Sequence, residues 1–401
     1  MIPILQMRNT IQEYAWGSHR DIAELLGLPT PSDTPQAELW MGAHPKAPSM
    51  VAMAAGWQPL DELIAEFPME FLGKPTALKF DGRLPYLFKV LAAARPLSIQ
   101  AHPSLAQARE GFAREKRAGI PIGSPERNYR DESHKSEIIC ALKPFWALFG
   151  FRRMSNIRSL FSTLDIPDVA SGLTQNTARP ESGGIRQFLQ SLLNNDGDQN
   201  IEIVSRVIQH ARTLAENDPV FEWVVRLNDA YPRDIGILAP LFLNLVRLTP
   251  GQAMFLPAGE LHAYLEGTGI ELMANSDNVL RGGLTPKHVD VPELLNVLTF
   301  DPRAVTILEP RRISETEAVY DSHAEEFVLS RITVRPGDVH GSAETRSIEM
   351  LLCVEGDVTI IGRGDETTIA VQQGTSVLVP AAASPYMIKG TGKLFKAAVP
   401  L

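Results

Sequence analysis

The sequence predicts a mainly β protein: two barrels of one kind, with a helical domain inserted. Three observations carry this. Short apolar runs broken by Gly and Pro fill the chain from Met1 to about Phe151 and again after about Ile235. Between them, from about Met154 to Tyr231, apolar residues recur with a helical period. One phrase also occurs twice in the second half: a glycine, five residues and a proline, as Gly251-QAMFL-Pro257 and Gly374-TSVLV-Pro380. Short strands separated by turn residues are the pattern of antiparallel sandwiches and barrels.

The expected division is 1–153 and 233–327 for the first barrel, 154–232 for the helical insertion and 328–401 for the second barrel. Within the first stretch, 105–118 reads as a helix. Ser104 and Gln107 make a capping box at its start, and Gly119 ends it. In the insertion, Ile185, Phe188, Leu189, Leu192 and Leu193 follow the spacing of an amphipathic helix, and Val204, Val207, Ile208, Ala211 and Ala215 repeat it. The segment 174–184 is polar and carries Pro180 and paired glycines, so it reads as a loop. Beyond Ile235 the expected strands lie in AMFLPAG, AVTILEP, FVLSRITVRPGD, IEMLLCVEGDVTIIGRGD and TSVLVPA.

Composition bounds the function. The chain has 401 residues, 44% hydrophobic and 21% charged, ordinary for a globular protein with a sizeable core. Its 38 basic and 47 acidic residues give a net charge of -9, which argues against a general nucleic-acid binder. Cys140 and Cys353 both lie in apolar runs, too few for a thiolate zinc site or a disulfide framework. The uncharged run 235–246 is too short to span a bilayer. The N-terminus lacks the features of a secretion signal. No coiled coil or exposed apolar helix demands a partner. The expectation is a soluble, cytoplasmic monomer acting on a small molecule, without membrane or nucleic-acid partners.

The segment from Gly251 to Glu266 is the most informative. Gly251, Pro257, Gly259 and His262 fit the second signature of the cupin barrel, which sets a histidine at the barrel mouth after a tight turn. Glu266 stands where that pattern usually has Asn. A second segment adds donors. In a strand through Ser98-Ile-Gln100-Ala-His102, residues 98, 100 and 102 share one face. Gln100 and His102 then reach one ion, with Gln100 in place of the usual first imidazole. Glu137, in HKSEIICAL, supplies the carboxylate. Two imidazoles, one carboxylate and one amide oxygen suit Zn²⁺ and leave it a strong Lewis acid.

These motifs lie within longer stretches: YAWGS, ELWMGAHPKAPS, LPYLFKVLAAARPLSIQAHPS, NYRDESHKSEIICAL and PAGELHAYLEGTGIELMANSDNVLRGGLTPKHVD. Together they closely resemble the type I mannose-6-phosphate isomerases (phosphomannose isomerases), over nearly the whole chain. The resemblance implies a bicupin, two jelly-roll-like barrels with an inserted helical domain. It implies an aldose–ketose isomerase that interconverts mannose 6-phosphate and fructose 6-phosphate with one zinc ion. The family's metal ligands fall on Gln100, His102, Glu137 and His262, and its active-site arginine on Arg281. It points to Lys89, Ser98 and Lys287 for the substrate's phosphate.

Isomerisation moves a proton between C1 and C2, through a cis-enediol on one route. The base is open between Lys135, His134, Glu271 and Asp277. Lys135 shares a strand face with Glu137. Asp277, four residues before Arg281, is placed to orient it, and Glu271 to act as a structural acceptor. Tyr14, Trp16 and Trp40 are expected in core packing, and His44 and His288 in structural roles. The second barrel has no histidine where His262 would correspond, so no metal is expected there. Two other readings are an Fe²⁺ cupin oxygenase, which Gln100 disfavours, and a sugar-phosphate sensor, which gives no reason for a Lys/Arg set beside the ligands.

Overall fold

A computed structural model describes residues 2–164, 181–194, 197–364 and 367–401. Its strands, in chain order, are β1 (Leu5–Arg8), β2 (Thr10–Gln12), β3 (Glu38–Met41), β4 (Met50–Met53), β5 (Gly56–Pro59), β6 (Tyr86–Ala93), β7 (Ile99–Ala101), β8 (Glu137–Ala141), β9 (Phe145–Phe151), β10 (Leu243–Leu248), β11 (Ala253–Leu256), β12 (His262–Ala274) and β13 (Leu280–Gly283). They continue as β14 (Arg311–Arg312), β15 (Glu317–Tyr320), β16 (Val328–Val334), β17 (His340–Gly341), β18 (Glu349–Gly362), β19 (Thr368–Gln372), β20 (Ser376–Val379) and β21 (Tyr386–Ala398).

Two antiparallel sheets result. One runs β10-β9-β12-β6-β3-β2, with β7 and β8 also pairing to β12, β13 beside β7 and β11 beside β8. The other runs β14-β15-β16-β21-β18-β20-β1-β4-β5, with β17 on β21 and β19 on β18. The chain's first strand thus completes the sheet of its last ones: Leu5 pairs Leu378, and the β4–β5 hairpin follows at the edge. The two sheets share a core in which Phe88, Ile270 and Leu272 meet Met350, Leu352 and Phe395, all buried. Each such side chain contributes roughly 1.5–3 kcal/mol.

The repeated phrase has one structural meaning. Gly251 and Gly374 both take positive φ (92° and 83°), and each opens a four-residue strand, β11 and β20, that ends at the proline. A Cβ at Gly374 would lie 2.5 Å from the carbonyl oxygen of Leu25, so the turn there admits only glycine.

The helices Met154–Thr163, Glu181–Asn194, Gly197–Leu214 and Pro219–Ala230 fall between β9 and β10, which pair with each other. Their apolar faces (Phe161, Phe188, Val207, Trp223) pack against Ile99, Ala101, Leu148 and Leu265 of the first sheet. The helix Leu105–Arg117 has its capping box from Ser104 and Gln107.

Three local expectations need correction. Residues 181–184 of the expected loop are helical; residues 174–180 lie outside the described residues. There Gly184 is buried and packs beside the Met154 methyl in the helical core. The chain does not return to strand at Ile235: Ile235–Leu238 and Ala239–Phe242 form helical turns, the first capped by Asp234. AVTILEP forms no strand but a single bridge, Leu308 to Ala253, between flanking prolines that donate no N–H.

Candidate metal centre

The helices fix which way β7 faces. Ile99 and Ala101 turn into the helical core, so Ser98 and Gln100 turn to the opposite face and line a cavity of about 510 Å³. His102 follows two residues on. At the other side, Gly259 turns the chain with φ 83°, and a Cβ there would lie 2.6 Å from the Thr299 hydroxyl. That turn delivers His262 as the first residue of β12. Glu137 is the first residue of β8.

The two imidazoles are oriented alike. Nδ1 of His102 lies 2.8 Å from the Asn278 carbonyl oxygen, and Nδ1 of His262 lies 2.9 Å from that of Glu260. A carbonyl only accepts, so both Nδ1 atoms carry the proton and both Nε2 atoms present lone pairs. Those lone pairs converge. His102 Nε2 is 3.4 Å from Glu137 Oε1, and His262 Nε2 is 3.5 Å from Glu137 Oε2. One donor atom of each residue lies within 4.8 Å of the others, so the three form a group able to hold one metal ion. His102 Nε2, Glu137 Oε2 and His262 Nε2 are all buried with no hydrogen-bond partner. Orphaned polar atoms of this kind cost about 1–3 kcal/mol each, and a cation between them satisfies all three. The donor set therefore fits a zinc-like ion.

Electrostatics prepare the group. Burial, assisted by Lys135, pushes His102 down to about 4, so its ring is neutral. Burial alone would raise the Glu137 carboxyl, but Lys135 and then His102 outweigh it and hold it well below the usual range. Both ligating forms are thus the stable ones.

Register builds the cavity floor. Arg281, Gln100 and His262 lie level across β13, β7 and β12, on one face. Glu137 is level with Met273 and Leu87. Two residues along, Glu271 is level with Lys89 and Trp40.

The expected residues distribute unevenly. Lys135 lines the cavity, its Nζ 2.7 Å from Glu137 Oε1. Glu271 lines it too, buried and 2.7 Å from Lys89 Nζ; burial first, then Glu137 and Glu38, raises its carboxyl against the opposing pull of Lys89. Lys89 is buried between Glu271 and Glu38, and these carboxylates raise its pKa against the effect of burial. Its charge is already balanced. Ser98, Arg281 and Lys287 line the same cavity. Asp277 does as well, but its carboxylate goes to Lys46 at 2.7 Å and His44 at 3.6 Å rather than to Arg281. His134 is not a lining residue: its Nε2 lies 2.7 Å from Glu326. Tyr14 is no core residue, at 42% exposed; it lines the cavity together with Trp16, which packs half-buried against the core, and Trp40, which is buried and donates to Glu38. His44 lines the cavity and His288 is exposed outside it.

Tyr264 and Glu38 belong to the cavity and were not singled out from the sequence. Tyr264 is two residues from His262 on one strand, so the period of two was the available signal. Its hydroxyl is buried without a partner.

Comparison with known proteins converges on one family. The catalytic domain of type I phosphomannose isomerase matches residues 4–154, and the cupin domain of mannose-6-phosphate isomerase matches residues 323–399. Mannose-6-phosphate isomerase of Escherichia coli (strain K12) is 40% identical over 390 residues, covering 96% of this chain and 97% of its own. The chain belongs to the mannose-6-phosphate isomerase family, type I. The family likeness extends to Homo sapiens, whose mannose-6-phosphate isomerase is 34% identical over 400 residues, 92% of each chain. A zinc-bound crystal structure of mannose 6-phosphate isomerase matches at TM-score 0.90 and 37% identity, over 100% of both chains. A variant phosphomannose isomerase from Salmonella typhimurium matches at TM-score 0.91, also over 100% of both.

Proposed function

We propose that this protein interconverts D-mannose 6-phosphate and D-fructose 6-phosphate, with one zinc ion per chain held by Gln100, His102, Glu137 and His262. The single observation that carries this is the convergence of three orphaned donor atoms at the wall of a cavity that also holds Arg281 and Lys287. The fold on this reading is a bicupin with a helical insertion, supported by the two matching glycine–strand–proline units.

Zinc held by these residues would supply a Lewis acid to polarise or orient the sugar's oxygens. The protein's own groups do the rest. Arg281, level with Gln100 on the adjacent strand, donates charge-assisted hydrogen bonds to oxygen that gains negative charge as a cis-enediol forms. Lys287 and Ser98 take the phosphate end. Lys89, balanced by Glu271 and Glu38, holds Glu271 in place instead of binding phosphate. The proton-transfer group is Lys135 or Glu271: both line the floor near Glu137, while His134 is engaged with Glu326 and Asp277 with Lys46. Positioned proton transfer contributes about 10²–10⁴-fold.

The test is incubation of purified protein with mannose 6-phosphate in deuterated water. Formation of fructose 6-phosphate with deuterium at C1 supports the proposal. Sugar-phosphate binding without isomer exchange would make the protein a sensor, and oxygen uptake during turnover would make it an oxygenase. Cys140 and Cys353 are free and buried, in keeping with a reducing, cytoplasmic setting. Among the described residues no helix is long and apolar enough to cross a membrane.

A further inference from the structure

Two loops deliver groups of the metal cavity, and the strands that carry them stop pairing where those groups begin. β8 and β12 pair as far as Glu137 and Met273. One more main-chain bond follows, from the Ala274 N–H to the Ser136 carbonyl at 2.9 Å. Beyond it the tie passes to side chains, chiefly to Asn278. Its Oδ1 accepts from the Arg130 N–H at 2.7 Å and from the Asp131 N–H at 3.2 Å. Its Nδ2 donates to the carbonyls of Asp131 and Ser133 at 2.9 and 2.8 Å. A primary amide has two acceptor and two donor places, and here both kinds are filled. Asp131 ties the loops in the other direction. Its Oδ1 accepts from the Ser276 hydroxyl and its Oδ2 from the Asp277 N–H, both at 2.8 Å.

Asn278 has a second connection. It is fully buried, and its main-chain carbonyl accepts from Nδ1 of His102 at 2.8 Å. That bond decides which nitrogen of His102 faces Glu137. The segment held by its amide, 130–133, leads within a few residues to Lys135 and Glu137, whose side chains meet at 2.7 Å. One residue therefore fixes the imidazole through its backbone and the loop of the opposing carboxylate through its side chain. Alanine at this position would leave the main-chain groups of Arg130, Asp131 and Ser133 without these partners.

We infer that Asn278 is a positioning residue of the metal centre: its amide holds the loop that delivers Lys135 and Glu137 in register with the His102 imidazole that its carbonyl orients. This rests on the zinc-isomerase reading above. Asn278 does not line the cavity, so it acts through His102 and Glu137. Outer partners that orient metal ligands contribute about 10–100-fold to metal affinity or activity.

The experiment compares wild type with Asn278→Ala, Asp131→Asn and Asn128→Ala. Asp131 is half-buried, and its variant loosens the same tie more gently if Asn278→Ala does not fold. Asn128 is the control: its Nδ2 anchors the start of the same loop to Asp290 at 2.9 Å instead. Zinc affinity of metal-stripped protein is read by competition with a chromophoric chelator, and kcat and KM for mannose 6-phosphate at saturating zinc. For Asn278→Ala the expected result is zinc affinity weakened about 10-fold or more, kcat lowered about 10-fold and KM within about threefold. Asp131→Asn weakens zinc binding by less, and Asn128→Ala keeps wild-type zinc affinity even where its melting temperature falls. Unchanged zinc affinity in Asn278→Ala and Asp131→Asn overturns the proposal. So does an equal loss in Asn128→Ala, which would make Asn278 a loop anchor only. Zinc affinity is read without turnover, so wild type that binds zinc but fails to isomerise the sugar would sink the functional reading alone; wild type that binds no zinc would overturn both.

Discussion

Each sheet buries histidine, glutamate and lysine together, and the two groups dispose of their charges differently. In the first sheet Lys135 takes one oxygen of Glu137, and two imidazole nitrogens converge on what is left. In the second, Lys396 lies 2.7 Å from Glu317 and 3.5 Å from Glu349, whose other oxygen accepts from the Tyr386 hydroxyl at 2.8 Å. Its one histidine, His340, shares a hydrogen bond with Thr316 and stands 4.0 Å from Glu317. Here one ammonium bridges two carboxylates, and a neutral hydroxyl donates to one of them. The difference shows what a metal group requires: His340 Nε2 is orphaned too, but among the described residues only His102, Glu137 and His262 bring three donor atoms within 4.8 Å of one another.

Breaking the first group should have the largest effect. Glu137→Gln removes the negative donor, and both bound metal and turnover should be lost. Lewis-acid stabilisation is worth several kcal/mol, so kcat should fall about 10³-fold or more, read by steady-state assay and metal analysis. Breaking the second should spare chemistry and reduce stability. Lys396→Met leaves Glu317 and Glu349 buried without their cation, a change that costs about 3–5 kcal/mol. A lower melting temperature with kcat within twofold at 25 °C is expected; loss of turnover in protein still folded at that temperature would contradict the separation of the two groups.

The third prediction is smaller and concerns pH. Burial pushes His340 down to about 4, with Glu317 opposing and Lys396 assisting. An unfolded histidine takes up its proton near 6.5, so in that window the unfolded chain binds more protons than the folded one. The stability difference is fully present above 6.5 and shrinks as pH falls toward 4. Relative to wild type, His340→Gln should show a shallower loss of melting temperature between pH 6.5 and 4. Parallel curves would mean that His340 is not the titrating group.

Much of the site was legible because strands impose a period of two. Residues 98, 100 and 102 shared a face on paper, and the structure turns Ser98 and Gln100 to the cavity because Ile99 and Ala101 are needed by the helical core. The signature ending in His262 works because Gly259 leaves no room for a Cβ. What local pattern does not carry is pairing between distant segments. Nothing near Leu5 states that β1 joins β20, and nothing in HKSE states that His134 turns to Glu326 while Lys135 turns to Glu137. Lys89 showed that a charge in an apolar run needs a partner, but not that Glu271 and Glu38 fill that need.

The most direct measurement is the rate of fructose 6-phosphate formation from mannose 6-phosphate as bound metal is stripped by a chelator and then returned as zinc, with metal counted per chain at every step. The expected course is loss of turnover in proportion to metal removed and full recovery at one zinc per chain. A rate that persists in metal-free protein would contradict the assignment of His102, Glu137 and His262 as a functional metal centre.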